Sequence, residues 1–206
     1  MEQFGASRVT VREALRTLEH SGLVEIRRGA EGGAFVSNPD SKFVSSFLQD
    51  MFSLGNITIK SLMEARLSVE PYSVELAAKR IDGNFLEQIR LNIIETKGCL
   101  ERGNQNDSRL LNLEFHRIVA QASGNLVIFL MIDSIMDVME NNISAIPLSV
   151  KPVERTTKYH DEIYLAIKNR DAKTARDLMF KHIQEIHEAL NLLNKKTLIE
   201  KGVTIV

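Results

Sequence analysis

Three histidines in this chain carry the residue type and spacing that chemistry could use. Ser108–Ser123 reads as a helix in which Asn112 and His116, four apart, share a face. That face borders the apolar stripe of Leu111, Phe115, Ile118 and Ala122. His160 falls in line with Ile163, Tyr164 and Ile167, and His182 with Ala175, Met179, Ile186 and Leu193. Neutral imidazole is a common ligand for divalent transition metals, and three of them leave a position open for water or a carboxylate. Each histidine taken alone reads first as a buried or half-buried residue bonded to a backbone carbonyl. Spacing along the chain does not decide whether the three helices bring them together.

The other candidates are more ordinary by the same reasoning. His20 stands near the end of the first helix, where a cation complements the helix dipole. His187 lies five residues after His182, off its face, and reads as a surface residue. Arg66 has Glu64 and Glu70 two and four residues away, so one reading is a helical salt bridge to Glu70, worth a few tenths of a kcal/mol. Asn125 follows Gly124 at the start of a helix and reads first as a cap.

The elements that must position these residues fall into two parts. Ser7–Val36 reads as a short helix followed by a β-ribbon. Val11, Ala14, Leu15 and Leu18 recur at helical spacing, Ser7 is placed to cap, and Gly22 stops the helix. Leu23–Arg28 and Ala34–Val36 read as strands joined through Gly29, Gly32 and Gly33. A helix bearing Arg8, Arg12 and Arg16, then a hairpin with Arg27 and Arg28 near its tip, is the pattern of a winged helix-turn-helix. Over residues 1–36 five arginines face five glutamates, so only their placement, not net charge, points to nucleic acid.

Ser37-Asn38-Pro39-Asp40-Ser41 is turn-forming and marks a linker. Helices are then expected over 43–54, 57–80 with a kink at Pro71, 84–102, 108–123, 126 to about 143, 153–169 and 172 to about 195. Asp171 is the expected cap of the last. The expected fold is mainly α: an N-terminally truncated winged helix-turn-helix, then an antiparallel all-α bundle of six or seven helices. The expected boundaries are 1–37 for the winged domain, 38–42 for the linker, 43–195 for the bundle and 196–206 for a tail.

Composition narrows the function classes. Among 206 residues, 26 Lys+Arg oppose 27 Asp+Glu, so no global field favours polyanions or membranes. The single cysteine, Cys99, rules out an intramolecular disulfide and fits a reducing cytoplasm. No apolar run approaches the roughly 20 residues that span a bilayer, and no membrane partner is expected.

SRVTVREALRTLEHSGLVEIRRG resembles the DNA-binding domain of the GntR family of bacterial transcription regulators. The resemblance implies base or phosphate contacts from Ser7, Arg8, Thr10 and Arg12, with Arg28, Gly29 and their neighbours at the wing tip. The family places a full helix and most of a second before this point, hence the expected truncation. From about Leu62 to Leu190, EARLSVEPYSVELAAKR, NLEFHRIVAQASGN and KYHDEIYLAIKNRDAKTARDLMFKHI resemble the ligand-sensing FCD domain of the FadR branch of that family. Many such domains hold a divalent metal through an aspartate and a histidine four apart and two later histidines. The histidines match His116, His160 and His182, while the aspartate position is Asn112. An amide oxygen ligates without negative charge, so weaker binding of the zinc or nickel ion is expected. The resemblance also implies effector contacts from Arg66, whose guanidinium suits a carboxylate, and from Asn125.

The reading that follows is a cytoplasmic, homodimeric regulator that binds near-palindromic operator DNA and senses a small carboxylate. Two rivals stand beside it: a metal-dependent hydrolase, and an effector-binding protein without DNA binding. No Asp or Glu stands out as a general base beside the histidines, which weighs against the hydrolase.

Overall fold

The computed structural model describes residues 5–29, 32–37, 41–142 and 153–200, with residues 153–154 and 192–200 described as backbone only. Its elements run α1 (Arg8–His20), β1 (Val24–Arg27), β2 (Gly33–Val36), α2 (Lys42–Ser53), α3 (Ile59–Arg80), α4 (Gly83–Glu101), α5 (Gln105–Ala122), α6 (Leu126–Asn141), α7 (Val153–Lys168) and α8 (Ala172–Glu200). A helix and wing followed by seven helices is the expected architecture. Asn38-Pro39-Asp40 of the linker and residues 201–206 of the tail lie outside the described residues.

Two boundaries move. The linker was expected to extend to residue 42, but Ser41 is buried and already belongs to the bundle, because its hydroxyl donates to Asp133 Oδ2 at 2.5 Å. The tail was expected from residue 196, but α8 continues to Glu200 with no glycine or proline to end it sooner. At Pro71 the assigned helix is continuous from Ile59 to Arg80.

Side-chain caps start most of the helices. Ser7 accepts from Thr10 N–H, Asp82 from Phe85 N–H and Asp171 from Thr174 N–H, and Thr58 forms a reciprocal capping box with Ser61. In the wing, β1 and β2 pair antiparallel with Val24 opposite Val36 and Arg27 opposite Gly33. Gly32 is required at this turn, since a Cβ there would come within 2.5 Å of the Arg27 carbonyl oxygen and 2.8 Å of that of Gly29.

Helix α3 is the axis of the bundle and packs against α5, α6, α7 and α8, while α4 lies on α5 and α7. Leu62, Met63, Val74, Leu76, Ala77 and Ala78 are buried on more than one side of it. These positions span a wide internal side of α3, opposite the exposed Glu64, Ser68, Tyr72 and Lys79. Its charged residues Arg66 and Glu70 are therefore internal too.

Helix α2 docks on α6 through polar contacts. Ser41 and Ser45 donate to Asp133 Oδ2 and Asp137 Oδ2, and Arg117 of α5 reaches the other oxygen of each, at 3.0 and 2.8 Å. Arg117 also holds Glu140 at 2.8 Å. Burial pulls the Arg117 guanidinium towards a lower pKa, but the bonds to Glu140 and Asp137 outweigh it and raise the value. Without Arg117, three carboxylates would crowd one half-buried surface. Arg117→Ala is expected to lower unfolding stability by about 2 kcal/mol, between the worth of an exposed pair and a buried one. Denaturant unfolding checks this, and an unchanged midpoint would contradict the role given to Arg117.

Candidate metal centre

Helices α5, α7 and α8 each deliver one histidine to the same point. His116, His160 and His182 are buried, and their ligand nitrogens lie within 4.8 Å of one another. His182 Nε2 is 3.2 Å from His160 Nε2 and 3.4 Å from His116 Nε2. Packing fixes the rings. His160 stacks on Phe115 with centroids 3.7 Å apart, and His116 meets the edge of Phe115 at 5.5 Å. The three histidines thus face one another across the interior of the bundle.

Glu70 closes the site from α3. Its Oε2 is 2.5 Å from His116 Nδ1, and its Oε1 accepts from Arg66 Nε at 2.5 Å, with Arg66 and Glu70 each only 2% exposed. The expected salt bridge to Glu70 is present, but as an internal pair rather than a solvated one. Arg66 Nη1 has only the thioethers of Met63 and Met139 at 3.6 and 3.5 Å, which are weak acceptors, and Nη2 has no partner. One turn before His116, the buried Oδ1 of Asn112 also has no partner.

Burial alone would raise the Glu70 carboxyl pKa. The Arg66 and His116 charges outweigh it and bring the value down to about 2. Burial lowers the pKa of His116 against the pull of Glu70, and burial with the neighbouring imidazoles lowers that of His160 well below the usual 6.5. Both rings are therefore neutral near pH 7, the state in which imidazole ligates.

This donor set fits a divalent transition-metal ion. Two nitrogens bound tetrahedrally at metal distance stand about 3.4 Å apart, which the observed separations match. Three imidazole nitrogens converging on one point are placed to share a cation. The unpartnered Asn112 oxygen lies on the same face of α5.

Glu70 is the residue that reasoning from the sequence missed. The Arg66–Glu70 spacing was visible, and the apolar residues all round 62–78 were the signal that this pair is internal. Glu114, the carboxylate nearest in sequence, is exposed and stands 3.6 Å from Arg117. Asn125 accepts from the Val127 and Ile128 N–H groups, so its side-chain oxygen is committed to capping α6. His187, expected on the surface, is half-buried and pairs with Asn191 at 3.0 Å, because α8 continues past it inside the bundle's flank.

The wing and α1 form a second surface. Arg8, Arg12, Arg16 and Arg28 rim a shallow groove whose apolar lining includes Val11, Leu15 and Ile26. Arg16 is paired with Glu13, whereas Arg27 is held by Glu25 and lies over the Phe35 ring. No ion pair to a described residue occupies Arg8, Arg12 or Arg28, which are exposed. Ser7 and Thr10 share a hydrogen bond at the helix start, and Gly29 takes a positive φ of 113° at the wing.

The FCD domain model matches residues 61–185, more than half of the chain, and that of the bacterial regulatory proteins of the gntR family matches residues 1–36. The chain belongs to the GntR family and carries an FCD domain. Among similar proteins, the uncharacterized HTH-type transcriptional regulator YcbG of Bacillus subtilis is 28% identical over 190 residues, covering 92% of this chain and 77% of that one. HTH-type transcriptional regulator LutR of Bacillus subtilis is 26% identical over 92% of this chain and 87% of its own length. The putative L-lactate dehydrogenase operon regulatory protein of Escherichia coli is 28% identical over 91% of this chain and 74% of its own. In structure, Streptococcus agalactiae GntR superposes with a TM-score of 0.67 at 26% identity, over 91% of this chain and 84% of that one. This GntR-family protein is thus a DNA-binding transcriptional regulator with an effector-binding domain, and its relatives are regulators rather than enzymes.

Acid should destabilise the regulator's bundle. Below about pH 6.5 the unfolded chain protonates histidines that stay neutral in the fold, and below about pH 4.5 it protonates a glutamate that the fold keeps ionised. Both contributions are full above these values and fade as pH falls, with that of Glu70 lost towards about pH 2. With a chelator present, the melting temperature is expected to fall between pH 7.5 and 5, and less steeply in His160→Gln. Equal slopes for the two proteins would contradict the assignment of neutral, buried imidazole.

Proposed function

We propose that this regulator is of the FadR type, acts in the cytoplasm as a homodimer, and releases or engages operator DNA in response to a small carboxylate. The observation that carries this reading is one buried site that brings together three imidazoles able to ligate a cation and an Arg66 Nη2 with no hydrogen-bond partner among the described residues. His116, His160 and His182 would hold a divalent ion, zinc or nickel, with Asn112 as a weak fourth donor. Such an ion supplies positive charge and a coordination position for an effector oxygen. Arg66 binds the effector's carboxylate through the guanidinium edge that Glu70 leaves free. One similar protein is named for an L-lactate dehydrogenase operon, and lactate is a small carboxylate of this class.

Two copies would place one winged domain on each half of a near-palindromic operator, as two-fold symmetry requires. Ser7, Thr10 and Gly29 would shape the contact surface, while Arg8, Arg12 and Arg28 would contact the DNA. The effector acts only as far as it binds one relative pose of the domains better than another. Among the described residues no helix is long and apolar enough to cross a membrane.

Zinc added to the chelated protein is expected to raise its melting temperature, an effect lost in His160→Ala and fading below about pH 6 as free imidazoles protonate. A protein whose melting ignores both zinc and chelator would sink the metal reading. Arg8→Ala and Arg12→Ala are each expected to cost about 1–3 kcal/mol of operator affinity without altering the melting temperature. Gel-shift titration on DNA upstream of the regulator's own gene, at one salt concentration, measures this. Parental affinity in either variant would remove that arginine from the interface.

A further inference from the structure

We infer that Glu70 supplies, through His116, the negative charge that the amide of Asn112 withholds from the ion. The inference rests on reading the three histidines as metal ligands and goes beyond it by assigning a positioning and charge-supplying role to a residue of another helix. Three neutral imidazoles and an amide oxygen bring no anion into direct contact with a buried dication, and an uncompensated charge is costly there. Glu70 Oε2 is 2.5 Å from His116 Nδ1, an ion-pair contact rather than a well-aligned hydrogen bond, and neither atom has another hydrogen-bond partner among the described residues. A carboxylate at that nitrogen keeps the proton on Nδ1, turns the Nε2 lone pair towards the other two histidines and makes it more basic. Arg66 holds the opposite carboxylate oxygen at 2.5 Å, so Glu70 is fixed between the guanidinium and the imidazole and cannot swing away. Asn112 stands one turn before His116 on the same helix, with a buried oxygen that has no other partner. An acid at 112 and the acid at 70 would therefore serve the same ion from two sides of one imidazole. Their effects on metal affinity should not add.

The test is a double-mutant cycle on the full chain, using Glu70→Gln, Asn112→Asp and the two combined. Zinc affinity is measured by competition with a chelating dye, and the visible absorption of the cobalt-loaded protein reports the ligand field. Glu70→Gln is expected to weaken zinc binding about 10- to 100-fold. Asn112→Asp is expected to tighten it, by a larger factor in the Glu70→Gln background than in the parent, returning the double variant close to parental affinity. Parental affinity in Glu70→Gln, or an equal gain from Asn112→Asp in both backgrounds, would overturn the inference while leaving the metal site standing. If the parent and Asn112→Asp both fail to bind zinc and show no cobalt band, the metal reading itself falls and the inference with it. Melting of the chelated proteins checks folding. Should Glu70→Gln leave Arg66 too costly to bury, Arg66→Met with Glu70→Gln removes both charges. The same weakening is expected of that pair, and parental affinity in it would likewise overturn the inference.

Discussion

Three imidazole nitrogens aimed at one point inside an apolar bundle are the constraint on which the rest of this structure depends. Their Nε2 atoms stand 3.2 and 3.4 Å apart, and such contacts alone do not bring three helices together. The scaffold holds them: α3 as a central apolar axis, Phe115 stacked against His160, and Met179 and Ile183 buried on either side of His182 along α8. Each helix contributes a side chain that would be costly alone and becomes useful only with the other two in place. The same holds for Arg66 and Glu70, whose burial is tolerable because each compensates the other.

A second polar cluster ties α2, the first helix of the bundle, to α5 and α6. Arg117 follows His116 directly, so the α5 turn that faces the histidines also presents a guanidinium to α6. Asp133 and Asp137 receive that guanidinium on one oxygen and the hydroxyls of Ser41 and Ser45 on the other. Ser41 stands five residues after the last residue of the wing. By contrast, α1 buries none of its own residues.

Much of this was legible in the sequence. The helices of the bundle follow from apolar periodicity and from caps whose chemistry is local: Asp82, Asn125 and Asp171 each bond backbone N–H groups two or three residues on. The wing followed from glycines whose positions are conformationally demanding. The three histidines could be picked out because each lies on or beside a core-facing stripe. Local signals of this kind need only the nearest turn of chain to act.

Only the tertiary structure decided what those residues do together. Glu70 and His116 are 46 positions apart, and their contact exists because α3 and α5 pack side by side. Periodicity carries no information about which helices are neighbours or how one is rotated against the next. For the same reason a helical salt bridge and a pocket role for Arg66 both stayed open, whereas packing of α5, α6, α7 and α8 against α3 takes the Arg66–Glu70 pair out of water and leaves one guanidinium nitrogen without a partner among the described residues. The sequence determined which faces are apolar and which side chains can ligate; the arrangement of helices about α3 determined which of them face the same few ångströms of space.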